Sequence, residues 1–260
     1  MTTSSPFSFD SAPPCLTRTA TGTRRSDQDS DASAGTQQPS ATRTATLDAM
    51  TAADSKTLRE RWTSQELSTL RTQLARLAEV APGPHRLTPS WHDAASATTD
   101  LRGLQTGSLG VRITHLELSD VDASGLVGGL TVTNSTLTHV RFQDAKLTAH
   151  TRLEGSFRAC SFAAANIPQA SIGPEVTDCN FANAKLRRLR AVPGTVFSNC
   201  DFSGAELSGA EFTNTRFVDC GFTGAKLNAA STFRGCTFVG AAPKFGKASE
   251  TGTKIEPLAD

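Results

Sequence analysis

Residues 200–229 are CDFSG AELSG AEFTN TRFVD CGFTG AKLNA, six consecutive units of five residues. Each unit begins with a small residue and carries a large apolar residue at its third position. An α-helix repeats every 3.6 residues and a β-strand every two, so neither produces a period of five. Short extended segments joined by regular corners do produce it, and such segments build a solenoid. The large residues are Phe202, Leu207, Phe212, Phe217, Phe222 and Leu227.

The direction of the side chains within each unit follows from extended backbone, in which successive side chains point to opposite sides. The first and third positions are apolar or small and are predicted to face inward, so that five residues form one wall and one corner. The second positions are predicted to face water. They are Asp201, Glu206, Glu211, Arg216, Gly221 and Lys226.

This pattern resembles the pentapeptide-repeat family, whose chains wind into a right-handed, four-sided parallel β-helix with four units per coil. The resemblance covers about residues 111–241 and implies an all-β solenoid of that type, with roughly six coils at a strand spacing of about 4.8 Å. A coil of about 20 residues is visible in the sequence, because one small inward position recurs two residues before an apolar one. Its members are Val140, Cys160, Cys179, Cys200 and Cys220.

The composition divides the chain into five segments. Residues 1–54 contain 19 Ser and Thr and few large apolar residues, too few to offset the entropy of ordering, so we expect a disordered leader. It is either a plain flexible tail or a secretion signal. The second alternative rests on the opening MTTSSPFSFDSAPP, which is similar to the leader of bacterial type III effectors. The other predicted segments are a helical segment at 55–81, a linker or irregular first coil at 82–107, the β-helix at 108–243 and a polar tail at 244–260.

The helical segment has a clear start signal. Thr63 and Glu66 form a capping-box pattern, and Leu67, Leu70 and Leu74 begin an apolar stripe at helical spacing. The stripe either covers the open N-terminal end of the β-helix or pairs with a partner helix. We favour the cap, because the ends of solenoids need covering.

Three stretches interrupt the five-residue pattern, at 148–156, 168–177 and 187–196, and they are predicted to lie on one corner of successive coils. Insertions on one face of a solenoid often mark its binding face. The alternatives are a solvated corner, which is the usual role of a charge run, or a basic ridge that binds an acidic partner surface or phosphates. The candidate partner-binding residues are Arg187, Arg188, Leu189 (expected to be exposed) and Arg190, with Arg152 and Arg158 one or two coils below.

The cysteines and the charge restrict the class of function. The formal net charge is +1, and no apolar run approaches the ~18 residues of a membrane span or forms a Sec signal peptide. Five of the six cysteines occupy small inward positions and are expected to act as buried apolar residues in a reducing compartment. A column of thiols does not converge on one point as tetrahedral zinc requires, so no metal and no cofactor is expected.

No catalytic motif occurs, and an enzyme would need a pocket in residues 80–110 that the sequence does not indicate. The resemblance implies non-catalytic binding, in one of two family roles. Some members imitate DNA and bind DNA gyrase with an acidic rod, whereas here residues 101–245 contain 14 Lys and Arg against 11 Asp and Glu. Other members are translocated effectors that dock on host proteins. We therefore expect a protein-interaction scaffold, a bacterial effector that is cytoplasmic or translocated into a host without a Sec signal, with a protein partner, no small-molecule substrate and no nucleic acid.

Overall fold

The computed structural model describes residues 52–80, 83–91 and 96–258, so that residues 1–51 of the expected leader, including Cys15, lie outside the described part. Within it there are two helices, α1 (Ala52–Glu60) and α2 (Ser64–Ala78). The strands follow in chain order: β1 Pro84–His85, β2 Thr99–Asp100, β3 Gln105–Thr114, β4 Glu117–Ser119, β5 Val121–Asp122, β6 Val127–Thr138, β7 Lys146–Leu147, β8 Arg152–Arg158, β9 Ser171–Thr177, β10 Arg190–Ala191, β11 Val196–Ser198, β12 Glu211–Thr213, β13 Arg216–Val218, β14 Thr232–Arg234, β15 Thr237–Val239, β16 Ser249–Thr251 and β17 Lys254–Glu256.

The strands form a parallel, four-sided β-solenoid, as the sequence predicts. In the coil that contains residues 200–219, face 1 is 200–203, face 2 is 205–208, face 3 is 210–213 and face 4 is 215–218. The four residues that separate the faces all adopt the left-handed conformation: Gly204 (φ 67°), Gly209 (φ 71°), Asn214 (φ 51°) and Asp219 (φ 50°). Each five-residue unit is therefore four residues of wall and one left-handed corner, where Gly and Asn are the least strained residues.

The number of coils is larger than the six expected, because eight successive levels of face 4 run from β4 to β17, and β1 pairs with β4 before them. Parallel pairing of strands uses backbone groups, so it continues past the region where the side-chain pattern is legible. The outward residues that pair from one level to the next are Glu117, Thr136, Ser156, Glu175, Val196, Arg216, Thr237 and Lys254.

The interior of the solenoid is filled by columns of apolar side chains. On face 1, successive Phe rings from Phe142 to Phe222 stack nearly parallel, with centroids 4.9–5.3 Å apart. On face 4, Phe197, Phe217 and Phe238 form a second column, and edge-to-face contacts such as that of Phe197 with Phe202 at 5.5 Å join the two. The predicted Phe column is thus the centre of the core.

Helix α2 covers the N-terminal end of the solenoid, in agreement with the expected cap. Its N-cap Thr63 accepts a hydrogen bond from the Glu66 backbone N–H, and Leu70 and Leu74 are buried against the first coil. Arg71 fixes the helix to β3 by donating to the carbonyl oxygens of Thr106 and Gly110 at 2.7–3.0 Å. The first coil itself starts earlier than residue 108, since β2 already pairs with β5.

The C-terminal segment differs from the polar tail expected at 244–260. Strands β16 and β17 pair in parallel with β14 and β15 and add a further level to faces 3 and 4. The reason is again that pairing needs only backbone donors and acceptors, which polar residues provide as well as apolar ones. Ile255, which continues the column of Phe217 and Phe238, is 63% exposed because no described coil covers it.

Candidate protein-binding surface

The most basic stretch, residues 185–190, runs along face 2 and turns onto face 3. Lys185 and Arg187 point outward on face 2, Arg188 occupies the corner with φ 56°, and Arg190 is the first outward residue of face 3. The chain needs no insertion here, because the five-residue unit continues through the corner unchanged. The structure therefore brings Arg187, Arg188 and Arg190 together around one corner of one coil, and we call these three residues the arginine corner.

The prediction that Leu189 is exposed was wrong. Leu189 follows the left-handed corner residue and takes the small inward position of its unit, where its side chain is buried. The error came from treating 187–196 as an irregular stretch, whereas the alternation of inward and outward residues restarts at every corner. Leu189 belongs to the core and contributes nothing to an exposed surface.

Two residues of the arginine corner are engaged with the next coil. Arg187 Nε donates to Glu206 Oε1 at 2.8 Å, and this contact raises the pKa of the guanidinium. Arg190 Nε lies 3.3 Å from Glu211 Oε2. Both arginine side chains are more than 60% exposed, so these pairs contribute little to stability. They do hold the two arginines in place on either side of Arg188.

Arg188 differs from its neighbours because its guanidinium makes no hydrogen bond or ion pair with any residue in the described part of the chain, although its backbone N–H donates to the Ser208 carbonyl oxygen at 2.9 Å. It is exposed, and its stem leans over Gly209 of the next coil, where an added Cβ would lie 3.2 Å from Arg188 Cγ. The guanidinium therefore projects from a corner that two flanking ion pairs brace. An anionic group that approached this corner would meet an arginine with all its donors available.

The remaining candidate arginines lie elsewhere. Arg152 is on face 3, two coils below Arg190 in the same column, and its guanidinium pairs with Glu154, whose carboxyl pKa is lowered by that hydrogen bond. Arg158 is on face 4 and donates to Glu175 Oε1 at 3.0 Å. Arg158 is therefore separate from the arginine corner, and Arg152 is at most a second contact on the same side.

Sequence reasoning missed a second polar cluster, which joins the helices to the first coil. The Asp100 carboxylate accepts hydrogen bonds from both Nη atoms of Arg61 at 2.7 and 2.9 Å and from Arg102 Nε and Nη2 at 3.0 and 3.1 Å. Arg61 also stacks on the Trp91 ring at 4.6 Å, and Trp62 packs edge-on against Trp91. We call these five residues the N-terminal clasp. Arg61 lies 39 residues before Asp100, so no local pattern could have indicated their contact.

The Asp100 carboxylate of the clasp is strongly stabilised in its charged form. Burial alone would raise the pKa of Asp100, but the hydrogen bonds from Arg61 and Arg102 outweigh it and hold that pKa well below its usual range. An open polar depression of about 360 Å³ lies beside the clasp and is lined by Trp91, Asp100 and Arg102 among others. Its acidic groups are already paired with arginines, since Asp122 lies 3.7 Å from Arg141. This arrangement joins the residues before α2 to the first coil.

The class defined by these features is a four-sided β-helix built from five-residue units, with a filled interior and exposed walls. Residues 195–231 match the family model described as pentapeptide repeats, in eight copies. Over these residues the chain carries the pentapeptide repeats that its sequence pattern indicated. None of the curated protein sequences compared with it matches significantly.

Solved structures of similar type include QnrB1, described as a plasmid-mediated fluoroquinolone resistance protein, which is 16% identical and covers 61% of this chain and 92% of its own, with a TM-score of 0.29. HetL from the cyanobacterium Nostoc sp. strain PCC 7120, described as involved in heterocyst differentiation regulation, is 17% identical over 60% of this chain and 80% of its own, with a TM-score of 0.25. Values of this size say nothing about what this chain binds. In the described residues no helix is long and apolar enough to cross a membrane.

Proposed function

We propose that this protein is a non-enzymatic scaffold that binds a protein partner through the arginine corner. The observation that carries the proposal is the state of Arg188, an exposed guanidinium on a rigid corner without an intramolecular partner, between two arginines that are paired. A guanidinium of this kind binds carboxylates through bidentate hydrogen bonds, and a backbone that is already ordered loses little entropy on binding. The partner surface is therefore acidic.

Two further features support a binding role over catalysis. The inward columns of the coils are occupied by buried apolar side chains, which fill the space that a substrate would need. The ionisable groups around the depression at the N-terminal clasp are held in ion pairs with one another. The walls of the solenoid are the surfaces that remain for function, and solenoids commonly use such extended surfaces for binding.

The finer hypothesis is that the protein is a translocated bacterial effector that docks on a host protein. Its support is the Ser/Thr/Pro-rich opening of the sequence, joined to a solenoid without a catalytic motif. The alternative role within the family, imitation of DNA toward gyrase, calls for an acidic rod, and bases outnumber acids between residues 101 and 245. The docking hypothesis fits this charge better, because a basic corner attracts an acidic protein surface.

Affinity capture with the full chain as bait tests the docking surface. Arg188→Glu is the informative variant, since it reverses one charge without breaking the ion pairs of Arg187 or Arg190. Arg234→Glu is the matched control, because it makes the same change at an exposed position of face 3 away from the corner. We expect a eukaryotic protein that is captured by the wild type and by Arg234→Glu but lost with Arg188→Glu. Equal capture by all three would refute the arginine corner.

Translocation is tested separately, by fusing residues 1–60 to a reporter and measuring its entry into host cells from a bacterium with a type III system. A reporter that never enters would refute the effector hypothesis and leave the scaffold proposal standing. A supercoiling assay with gyrase covers the alternative. Inhibition at micromolar protein would favour DNA imitation, and we expect none.

A further inference from the structure

Four thiols form a continuous column along the inside of face 1. Cys160, Cys179, Cys200 and Cys220 each stand one residue before a position that is paired in parallel with the next coil. The column therefore contains one thiol per coil over four consecutive coils. All four side chains are 1–2% exposed, and none forms a disulfide.

The four thiols also share one orientation. Each Sγ lies near the carbonyl oxygen of the residue two positions earlier, at 3.2–3.4 Å. Each also lies 3.3–3.7 Å from a carbonyl oxygen of the coil below. Because the same contacts recur at every level, each sulfur is displaced from the previous one by one strand spacing, about 4.8 Å, along the solenoid axis.

Adjacent thiols of the column are near enough to influence one another's ionisation. Cys179 and then Cys220 lower the pKa of Cys200, while Cys160 and then Cys200 raise the pKa of Cys179. The two neighbouring thiols thus stabilise a thiolate at Cys200. Cys236, by contrast, lies on face 4, and burial raises its pKa.

A spacing of about 4.8 Å excludes some chemistry and suits other chemistry. It is too long for a disulfide, whose sulfurs are about 2.0 Å apart. A tetrahedral zinc site is also excluded, because it needs ligands that converge on one point. In the described residues no three His, Cys, Asp or Glu side chains are grouped so that they could hold one metal ion. Two metal–thiolate bonds of about 2.3 Å laid end to end, however, span about 4.6 Å. A metal ion midway between adjacent sulfurs would therefore have nearly linear two-coordination.

We propose that the cysteine column binds soft, thiol-seeking metal ions, each bridging two stacked sulfurs as a linear S–M–S unit. Soft thiolate ligands select soft ions, and two-coordination suits those with a filled d shell. Two thiols lose their protons to solvent as two S–M bonds form, so a divalent ion such as Hg²⁺ leaves the pair neutral. Neutrality matters because an uncompensated charge in this core would be costly. Four cysteines give two bridges, Cys160 with Cys179 and Cys200 with Cys220.

The bridge would join adjacent coils, so binding should stabilise the fold. Metal binding exchanges weak S–H to carbonyl contacts for metal–sulfur bonds and adds a cross-link between levels. For an ion that binds only the folded chain at a hundredfold excess over its Kd, a rise in Tm of about 5–10 °C is expected. A reagent that merely opened the core and modified single thiols would lower Tm.

The test compares variants that have the same number of column thiols and differ only in their adjacency. Both are made in the full chain with Cys15→Ser and Cys236→Ala. Cys160→Ala/Cys179→Ala keeps the stacked pair, Cys200 and Cys220. Cys179→Ala/Cys220→Ala keeps two thiols that are two coils apart, about 9.6 Å, which no single ion can bridge. A second separated variant, Cys160→Ala/Cys200→Ala, replaces the first if that one does not fold.

Each variant is titrated with Hg²⁺, with sulfur-to-mercury absorbance and Tm as the readouts. We expect the stacked variant to bind one ion per chain with a rise in Tm, and the separated variant to show no rise. An equal effect in both variants, or a fall in Tm for the stacked one, would overturn the proposal. Zn²⁺ should leave Tm unchanged in both variants, and stabilisation by Zn²⁺ equal to that by Hg²⁺ would overturn the assignment of linear two-coordination.

Discussion

From the contacts of the N-terminal clasp we predict that replacing Asp100 lowers the free energy of unfolding. Replacing it by Asn keeps the shape of the side chain but removes the charge that two arginines share. Arg61 and Arg102 donate to both carboxylate oxygens at 2.7–3.1 Å. In Asn one of these acceptors becomes an NH₂ donor, so at least two of the charged hydrogen bonds are lost. Hydrogen bonds to charged groups contribute about 1.5–3 kcal/mol each. After allowance for the 31% exposure of the carboxylate, we expect a loss of about 2–4 kcal/mol in the free energy of unfolding at pH 7.

The pH dependence of this loss has a defined sign. The pKa of Asp100 is depressed in the folded protein, so the carboxylate contributes stability above its unfolded pKa of about 3.9 and loses that contribution as the pH falls toward the folded value. The difference between wild type and Asp100→Asn should therefore be constant from pH 7 to 5 and shrink below about pH 4.

Urea denaturation followed by tryptophan fluorescence is the suitable assay, because the two tryptophans of the chain, Trp62 and Trp91, are both in the clasp. The matched control is Asp201→Asn. Asp201 accepts the Ser203 backbone N–H at 2.8 Å, and Asn180 one coil below makes the equivalent contact with an amide oxygen, so we expect a change below about 0.5 kcal/mol. A loss for Asp100→Asn below about 1 kcal/mol, or one that is undiminished at pH 3, would refute the reasoning.

Three other substitutions test the coils, each by urea denaturation. The Phe202 ring is fully buried and stacks between two other rings. Phe202→Ala should therefore lower the free energy of unfolding by about 3–5 kcal/mol, and Phe202→Leu by less than about 1.5 kcal/mol. Equal losses would contradict the importance of the column. Arg188→Gly relieves a left-handed corner and should stabilise by about 0.5–1 kcal/mol while weakening partner capture, so lower stability would count against the strain. Gly128→Ala, at φ 123° and with its new Cβ against Thr106 Oγ1, should cost more than about 1 kcal/mol, and a neutral result would argue against that close approach.

The arginine corner was partly predictable. Its basic residues are consecutive in the sequence, and the position of Arg188 at a corner follows from counting five-residue units. Its lack of a partner does not, because the carboxylates of Glu206 and Glu211 reach Arg187 and Arg190 from the next coil and leave Arg188 aside. Which arginine stays available depends on the register between coils. That register changes where the corners change length: it is 21 residues from Arg190 to Glu211 and 17 residues from Thr237 to Lys254.

The sequence by itself determined the walls and corners of the solenoid. The alternation of inward and outward residues and the left-handed corner are local properties of five residues, so repetition of CDFSG-like units was enough to predict the solenoid, the Phe column and the column of thiols. Tertiary structure decided what lies at the two ends of the solenoid. The clasp joins Arg61 to Asp100 across 39 residues, and β17 pairs with β15 although its residues are polar. Contacts of this kind depend on where the coils bring distant groups, and a local repeat carries no information about that.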